Sequence, residues 1–318
     1  MKLILPVETA DEIEPHLPEG TVVVRVDGEG NIDGDATDAE VYFSYFYLKP
    51  TTLHRVLDAA PLLRWHHAPN AGVNHILTPK YLERNLILTN GSGGSGVHGI
   101  PIAEFVIAYL LAYSKRLPSL YKLQNEHNWQ RGLPIQELFE KTLLIIGAGG
   151  IGQEIAVRAK AFGMRIFGSS RHPKSLPNFD KVVGANEWKQ LLPEAEFVVI
   201  ATPLTPETKG MIDVEILRLF RPDSYLINIA RGAIVDESAL TTALQEGWIT
   251  GAALDTVFTE PLPAESPLWT LPNVFITPHC SGNTPRVKER TLALFLDNFN
   301  RYRQGQTLRN VVDKTAGY

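Results

Sequence analysis

The fold is decided by one stretch of the sequence, Leu143-Leu144-Ile145-Ile146-Gly147-Ala148-Gly149-Gly150-Ile151-Gly152. The aliphatic run predicts a buried strand, and the helical pattern over 153–162 predicts a helix directly after the glycines. In this setting Gly147 permits a tight turn, Gly149 lets a ligand approach the backbone, and Gly152 lets the helix pack closely against the strand. The stretch therefore predicts a turn at a helix start whose amides hold a pyrophosphate group.

The alternation of strands and helices continues on the carboxyl side of this turn. Apolar runs predict strands at 142–146, 164–167, 197–201, 225–229, 251–255 and 274–277. Helical patterns lie between most of these runs, which is typical of a doubly wound parallel sheet.

The part of the chain before the turn follows a similar pattern. It predicts strands at 3–7, 21–26, 41–46 and 63–67 and a helix at 51–60 that Thr52 would cap. A glycine- and serine-rich stretch at 90–96 predicts a flexible linker, and a long apolar helix follows with Pro101 in its first turn. A last helix at 284–302 is expected to return to the first half. The sequence thus predicts an α/β protein with two Rossmann-like or flavodoxin-like domains, doubly wound parallel sheets and a site in the cleft between them.

Composition narrows the class of partner. The 318 residues are 44% hydrophobic and 20% charged with a formal net charge of -5, which favours neither nucleic acid nor an anionic membrane as partner. No apolar run reaches the roughly 18 residues of a membrane span, and the start of the chain does not resemble a signal peptide. Cys280 is the single cysteine, which suits a reducing compartment. We therefore predict a cytoplasmic protein, and no metal site is expected.

The end of the second strand of the downstream sheet indicates which dinucleotide binds. An acidic residue there would accept the ribose hydroxyl groups of NAD, but no Asp or Glu occurs between Glu154 and Asp180. Ser169, Ser170 and Arg171 stand there instead, and hydroxyl groups beside a guanidinium suit a 2′-phosphate. A solvated basic loop is the alternative interpretation. The sequence predicts NADP(H) as the preferred cofactor, with NAD(H) as the second choice.

Three further residues follow predicted strands and carry the chemistry of a ketone reduction. Arg231 follows a buried strand, so it would lie at the carboxyl end of the sheet and clamp a substrate carboxylate with its planar guanidinium. His279 would donate a proton to the developing alkoxide, and Glu260 would keep the imidazole protonated. Taken singly, the three would be a surface ion pair, a loop charge and an ordinary histidine at a strand end. Their joint placement after strands favours the functional interpretation.

At this point the sequence resembles a known family. The segments 147–152, 201–208 (Ala-Thr-Pro-Leu-Thr-Pro-Glu-Thr) and 255–263, with Arg231 and His279, are similar to those of the D-isomer-specific 2-hydroxyacid dehydrogenases. The resemblance covers essentially the whole chain and is strongest to the NADP-preferring, glyoxylate/hydroxypyruvate reductase-like branch. It implies Arg231, Glu260 and His279 as the catalytic set. It also implies cofactor contacts from Gly147, Gly149, Gly150, Ile151, Gly152, Ser169, Ser170, Arg171, Thr202, Pro203, Thr208, Ala230, Arg231, Asp255 and His279.

The resemblance further implies how the domains divide and where the substrate binds. It predicts a substrate-binding domain at 1–98 plus 286–318, a dinucleotide-binding Rossmann domain at 99–285, and a homodimer. In that scheme the amides of Asn70, Ala71 and Gly72 hold the substrate carboxylate together with Arg231 and His279, although a plain turn explains that loop equally well. Asn74 replaces an acidic residue that is usual in the family. His98 is best explained as a loop histidine.

The resulting hypothesis is an oxidoreductase that reduces a 2-keto acid, such as glyoxylate or hydroxypyruvate, to the D-2-hydroxy acid with NADPH. A nucleotide-sensing binding protein on the same fold, similar to corepressors, is one alternative. An NAD-dependent enzyme similar to phosphoglycerate dehydrogenase is another. The aromatic run 42–47 is best explained by alternation on a buried strand, with a pocket wall at Phe46 or Tyr47 as the second interpretation.

Overall fold

The computed structural model describes residues 1–46, 48–92 and 96–317. The chain divides into two compact units, and unit 1 consists of Met1–His98 with Thr284–Tyr318, whereas unit 2 consists of Gly99–Asn283. The aromatic residue Tyr47 and the central residues of the expected linker, 93–95, lie outside the described residues. Each unit is an α/β layer structure built on a parallel sheet, so the expected fold class is confirmed.

Unit 2 is built on a seven-stranded parallel sheet that contains the glycine turn. Its strands are β6 (Thr142–Ile146), β7 (Arg165–Ser170), β8 (Lys181–Gly184), β9 (Phe197–Ile200), β10 (Tyr225–Asn228), β11 (Gly251–Leu254) and β12 (Val274–Ile276). They lie in the order β12-β11-β10-β9-β6-β7-β8. The direction of winding reverses between β6 and β9, and the carboxyl ends of strands at such a switch point form the usual ligand site of this topology.

The helices of unit 2 cover both faces of that sheet. They are α4 (Gly99–Ser114), α5 (Leu117–Asn125), α6 (Gly150–Ala161), α7 (Val214–Leu217) and α8 (Glu237–Gln245), with short 3₁₀ helices at Trp188–Glu194, Gly232–Ile234 and Pro267–Thr270. One apolar cluster joins α4 and α6 to the face of β6 that carries Leu143 and Ile145. The other cluster packs α7 and α8 against the face that carries Leu144 and Ile146. Because both faces are covered, the strands are continuous apolar runs rather than alternating ones.

Unit 1 is built on a smaller parallel sheet. Its strands are β1 (Lys2–Pro6), β2 (Val22–Val26), β3 (Val41–Phe43), β4 (Trp65–Ala68) and β5 (Ile87–Asn90), in the order β2-β1-β3-β4-β5. The helices α1 (Val7–Ile13), α2 (Pro50–Ala59) and α3 (Pro79–Leu82) lie between these strands. This strand order is that of the flavodoxin-like doubly wound sheet.

Unit 1 is completed by the last part of the chain. Helix α9 (Pro285–Arg303) packs Phe295 and Phe299 against Leu3, Leu5 and Trp65 of the sheet. The segment after α9 then runs antiparallel to β5, with a bridge between Thr89 and Val311. The final helix therefore returns to the first half of the chain.

Two local predictions are wrong. Thr52 does not cap α2, because Pro50 already begins the helix and Lys49 is the N-cap residue. The Thr52 hydroxyl donates instead to the carbonyl of Gly28 at 2.8 Å. The expected linker also begins too early, since Asn90 is the last residue of β5 and is 1% exposed.

The aromatic run 42–47 is explained by the sheet for its first residues. Tyr42 and Phe43 lie on opposite faces of β3 and are fully buried. Within the described residues, no helix is long and apolar enough to cross a membrane.

Candidate active site

The glycine turn lies between β6 and α6 and has the geometry of a phosphate cradle. Gly147 has a φ of +109°, and a Cβ there would lie 2.7 Å from the backbone of Ala201. A Cβ on Gly152 would lie 2.2 Å from the carbonyl oxygen of Gly147. A Cβ on Gly149 would meet nothing within 4 Å. The first and last glycines are thus required by close packing, whereas the middle one faces open space that a ligand can enter.

The amides at the start of α6 suit an anion. Gly149 is the N-cap residue and has no side chain that could bond the first-turn N–H groups. These amides and the positive end of the helix dipole attract a pyrophosphate. Gly150 and Ile151 form this first turn. The donor set and the open space at Gly149 therefore fit the dinucleotide that the sequence predicted.

The end of β7 holds the residues predicted to select the cofactor. Ser169 is 4% exposed, and its hydroxyl accepts the N–H of Gly147 at 3.3 Å, so it supports the turn from behind. Ser170 is half-buried and Arg171 is exposed. Arg171 also lies close enough to Glu207 for its charge to help lower the pKa of that carboxyl, after the larger effect of a hydrogen bond from Thr205. Sequence reasoning missed this acidic residue near Arg171, because only the residues around the end of β7 were considered and Glu207 follows β9.

The segment 202–208 after β9 is held by its own threonines. The Thr208 hydroxyl donates to the carbonyl of Pro203 at 2.7 Å and accepts the N–H of Thr205 at 2.8 Å. Thr202 and Pro203 remain half-buried at the carboxyl end of the sheet. This places them at the edge that also carries the glycine turn, as the close approach of Gly147 to Ala201 shows.

Arg231 follows β10, and its surroundings prepare it for an anion. Burial lowers the pKa of its guanidinium, an effect that the charge of Glu260 partly offsets. Its hydrogen bond within the chain is to the neighbouring carbonyl of Ala230, at 2.7 Å. Among the described residues it forms no ion pair with a carboxylate. A largely desolvated guanidinium without such a partner favours binding of an anionic ligand.

Gly232 brings the Arg231 loop against the segment that carries Glu260. A Cβ on Gly232 would lie 1.9 Å from the backbone of Val257, so only glycine fits there. The N–H of Val257 in turn donates to Glu260 Oε1 at 3.3 Å. This close approach of two backbones explains why two segments that are distant in sequence present their side chains together.

Glu260 and His279 form a hydrogen-bonded pair. His279 Nδ1 lies 2.8 Å from Glu260 Oε2, and both side chains are well exposed. Burial alone would raise the pKa of Glu260, but the hydrogen bond and charge of His279, with smaller help from Val257 and Arg231, keep it below its usual value. Because an ionised carboxylate only accepts hydrogen bonds, Nδ1 carries the proton of this bond. Nε2 then remains to act on a ligand.

Asp255 is buried beneath the histidine rather than presented beside it. It is 1% exposed, and both of its carboxylate oxygens accept hydrogen bonds from the segment that carries His279. The family resemblance implied that Asp255 contacts the cofactor, and the structure shows it as an anchor of the segment that carries His279.

The predicted substrate loop lies in unit 1, after β4. Three carbonyl groups at its start accept hydrogen bonds: that of Pro69 from His98 Nε2, that of Asn70 from the N–H of Gly91, and that of Ala71 from Asn90 Nδ2, at 2.8, 3.0 and 2.7 Å. The described hydrogen bonds leave the N–H groups of Ala71 and Gly72 available for a ligand. Sequence reasoning missed the roles of Asn90 and His98, because both residues come from distant parts of the sequence.

The candidate site in unit 2 combines three chemical features. Within the part of the chain that the structure describes, no group of three His, Cys, Asp or Glu side chains could hold a metal ion. The arrangement offers an anion cradle at α6, a desolvated guanidinium and a carboxylate–imidazole pair. These features define a Rossmann-type oxidoreductase that uses a nicotinamide cofactor.

Comparison with known proteins gives the family. Residues 107–281 match the model described as D-isomer specific 2-hydroxyacid dehydrogenase, NAD binding domain. This protein belongs to the D-isomer specific 2-hydroxyacid dehydrogenase family, as the resemblance of the sequence implied. Since members of the family act on 2-keto or 2-hydroxy acids, its substrate is a small acid of this type.

Individual relatives agree with this assignment. A glyoxylate reductase of Thermococcus kodakarensis is 37% identical over 269 residues, which cover 81% of this chain and 79% of the relative. A D-3-phosphoglycerate dehydrogenase of Methanocaldococcus jannaschii is 34% identical over 81% of this chain but only 49% of the relative. The solved structure of an NADPH-dependent glyoxylate/hydroxypyruvate reductase from Sinorhizobium meliloti, in complex with NADP and sulfate, matches with a TM-score of 0.85 at 26% identity. That match covers 100% of this chain and 99% of the other.

Proposed function

We propose that this protein reduces glyoxylate, hydroxypyruvate or a related 2-keto acid to the D-2-hydroxy acid with NADPH. Arg231 binds the carboxylate and carbonyl oxygen of the substrate, and His279, paired with Glu260, donates the proton. One observation carries the proposal: a desolvated guanidinium without a carboxylate partner among the described residues follows β10, and Gly232 packs its loop against the segment of the Glu260–His279 pair. The glyoxylate reductases among the relatives support the substrate class.

The preference for NADPH rests on the end of β7. Ser170 and Arg171 would bind the 2′-phosphate, because a hydroxyl and a guanidinium can both donate hydrogen bonds to it. Glu207 lies near Arg171 and would hold the guanidinium in place without contacting the ribose. The NADP complex of the Sinorhizobium meliloti enzyme supports this choice. Gly149 would leave room for the pyrophosphate, while Gly147 and Gly152 allow the close packing that shapes the turn.

The roles of the residues follow from their geometry. When bound, the nicotinamide supplies a hydride to the carbonyl carbon of the keto acid. Arg231 fixes the carboxylate with two parallel hydrogen bonds and polarises the carbonyl oxygen. His279 transfers a proton from Nε2 to that oxygen as the hydroxyl group forms. Glu260 accepts the hydrogen bond of Nδ1 and stabilises the imidazolium before this transfer.

Both units would contribute to ligand binding. We assign cofactor binding to unit 2, which also supplies Arg231 and His279, and a further part of substrate binding to unit 1, where the amides of Asn70, Ala71 and Gly72 would contact the substrate carboxylate. The hydrogen bonds from Asn90, Gly91 and His98 support this assignment, because they fix the carbonyl side of the loop.

We also propose that the protein acts as a homodimer in the cytoplasm. The segment from α5 to β6 exposes large apolar side chains, with Tyr121 at 64%, Trp129 at 89% and Phe139 at 60%. Large apolar side chains that stay exposed along one segment favour an interface between subunits. Light scattering coupled to gel filtration would measure the mass, and a monomer at micromolar concentration would contradict the proposal.

A steady-state matrix tests the activity. NADPH and NADH would each be combined with glyoxylate, hydroxypyruvate, pyruvate and phenylpyruvate, and 3-phosphoglycerate would be tested with NAD. We expect the highest kcat/KM with NADPH and a small keto acid, and D-glycerate as the product from hydroxypyruvate. Tight binding of NADPH without turnover of any substrate would contradict the proposal and favour a nucleotide sensor. Oxidation of 3-phosphoglycerate as the best reaction would assign the chain to that dehydrogenase instead.

A further inference from the structure

The segment that carries His279 is fastened to Asp255 at several points. The carbonyl oxygen of Asp255 accepts the N–H of His279 at 2.8 Å. Its Oδ1 accepts the Thr277 hydroxyl at 2.6 Å and the N–H of Cys280 at 2.9 Å, and its Oδ2 accepts the N–H of Ser281 at 3.1 Å. One buried carboxylate thus holds both sides of the histidine.

This fastening is needed because the backbone of His279 is strained. Its φ is +50°, in the left-handed region that residues other than glycine enter only at a cost. The hydrogen bonds to Asp255 keep the residue there. A loss of any of them would let the segment relax toward ordinary backbone angles and withdraw the imidazole from Glu260.

A tyrosine of helix α4, Tyr109, adds a further hydrogen bond to this network. The Tyr109 hydroxyl hydrogen-bonds Thr277 Oγ1. Thr277 has one hydroxyl hydrogen, which it gives to Asp255, so its oxygen accepts and Tyr109 is the donor. The Tyr109 ring is 2% exposed and packs edge-on against Phe105 and Phe275, which fixes the position of its hydroxyl.

We propose that Tyr109 is a positioning residue for the catalytic histidine, acting through Thr277 and Asp255. Its hydroxyl orients the Thr277 hydroxyl toward Asp255, and the carboxylate then holds the strained segment with His279 beside Glu260. The proposal rests on the proposed function, in which His279 donates the proton. The glycine turn and Arg231 lie outside this network of hydrogen bonds, so its loss should act on kcat more strongly than on either KM.

The test compares Tyr109→Phe with a matched control on the same helix. Tyr113→Phe removes the hydroxyl one turn further along α4, which bonds Thr250 Oγ1 at 3.2 Å. We expect Tyr109→Phe to lower kcat about 10-fold, since small displacements of catalytic groups reduce rate strongly, while both KM values stay within about 2-fold. Tyr113→Phe should leave kcat unchanged. Equal kcat values for the two variants, or a loss confined to KM, would overturn the proposal.

Variants of Thr277 test the route of the effect. Thr277→Val removes the hydroxyl at constant shape and should lower kcat at least as much as Tyr109→Phe, whereas Thr277→Ser should restore most of it. The double variant Tyr109→Phe/Thr277→Val should be no slower than Thr277→Val alone, because the two residues act in series. Multiplicative losses would show that Tyr109 acts by another route and would overturn the proposal.

A measurement without substrate separates this proposal from the proposed function. The ¹⁵N chemical shift of His279 Nδ1 reports its hydrogen bond to Glu260, and His279→Gln identifies the signal. We expect Tyr109→Phe to shift it and Tyr113→Phe to leave it in place, whatever substrate the enzyme turns over. An unchanged signal in Tyr109→Phe would overturn the positioning role, while an inactive wild-type protein with the expected shift would contradict only the proposed function.

Discussion

The two units treat histidine in opposite ways. His279 of unit 2 is well exposed and paired with the carboxylate of Glu260. His66 and His67 of unit 1 lie in β4 and are fully buried among aromatic rings. The same side chain is thus exposed beside a carboxylate in one unit and packed as a buried element against aromatic rings in the other. The role of a histidine can therefore be assigned only when its burial and its hydrogen-bond partner are known.

The buried pair makes unit 1 sensitive to acid. Burial lowers the pKa of His66 and of His67 to about 3, and for His66 the nearby His67 and His75 add to this effect. In the unfolded chain both histidines have the ordinary imidazole pKa of 6.5. Between pH 6.5 and pH 3 the unfolded state therefore binds more protons than the folded state. Stability is therefore fully present above pH 6.5 and is lost as the pH falls toward 3.

The largest expected effect concerns the exposed histidine. His279→Gln should lower kcat by about two to four orders of magnitude, since it removes the proton donor. The melting temperature should change little, because the side chain is well exposed. Steady-state kinetics and thermal unfolding measure the two effects. Near-normal turnover would remove His279 from its assigned role.

The buried histidines should show the reverse pattern. A proton that binds a histidine only in the unfolded chain lowers the free energy of unfolding by about 1.4 kcal/mol for each pH unit below the unfolded pKa. Each buried histidine should therefore lower the free energy of unfolding by about 2 kcal/mol between pH 6.5 and pH 5. Urea unfolding at several pH values would measure this slope. His67→Phe should reduce the slope by about half while kcat at neutral pH is retained. An unchanged slope would mean that His67 is not neutral in the folded protein.

The next prediction concerns Arg231, whose guanidinium is largely buried. Arg231→Lys should lower kcat/KM for the keto acid by about 10- to 100-fold, because an ammonium group cannot form the planar, two-bond contact of the guanidinium. The KM for NADPH should stay close to the wild-type value. Unchanged efficiency would contradict the assignment of Arg231 to the substrate carboxylate.

The exposed Arg171 should have the smallest effect. Arg171→Ala should raise the KM for NADPH by about 10-fold, as expected for the loss of one charge-assisted hydrogen bond, and leave the KM for NADH nearly unchanged. Lys174→Ala, a lysine of the same loop, serves as the matched control. Equal effects of Arg171→Ala on the two cofactors would refute the selection of the 2′-phosphate.

The sequence predicted what local patterns determine. The glycine turn, the buried strands of unit 2 and the long final helix all follow from spacing and hydrophobicity within a few residues. Strands β5 and β8 were missed, because each has only two strongly apolar residues, in Ile-Leu-Thr-Asn and Lys-Val-Val-Gly, too few to stand out as a run. The cap at Thr52 was wrong because Pro50 can begin a helix without it.

The contacts within the candidate site were harder to foresee. Arg231, Glu260 and His279 were found from their positions after strands, since the carboxyl ends of parallel strands meet at one edge. The contact between Tyr109 and Thr277 joins residues 168 positions apart, and neither residue belongs to a motif. The approach of Glu207 to Arg171 likewise depends on how neighbouring strands end. Such contacts arise from packing, which spacing alone does not encode.

The return of α9 to unit 1 has a consequence for the order of events during synthesis. Unit 2 is continuous from residue 99 to 283, so all of its strands leave the ribosome together. The sheet of unit 1 cannot cover Leu3, Leu5 and Trp65 until Phe295 and Phe299 have been made. Domains usually mature from the amino terminus onward. Here Leu3 and Leu5 precede unit 2 in the chain but are covered after it, so unit 2 should fold before these two residues are buried.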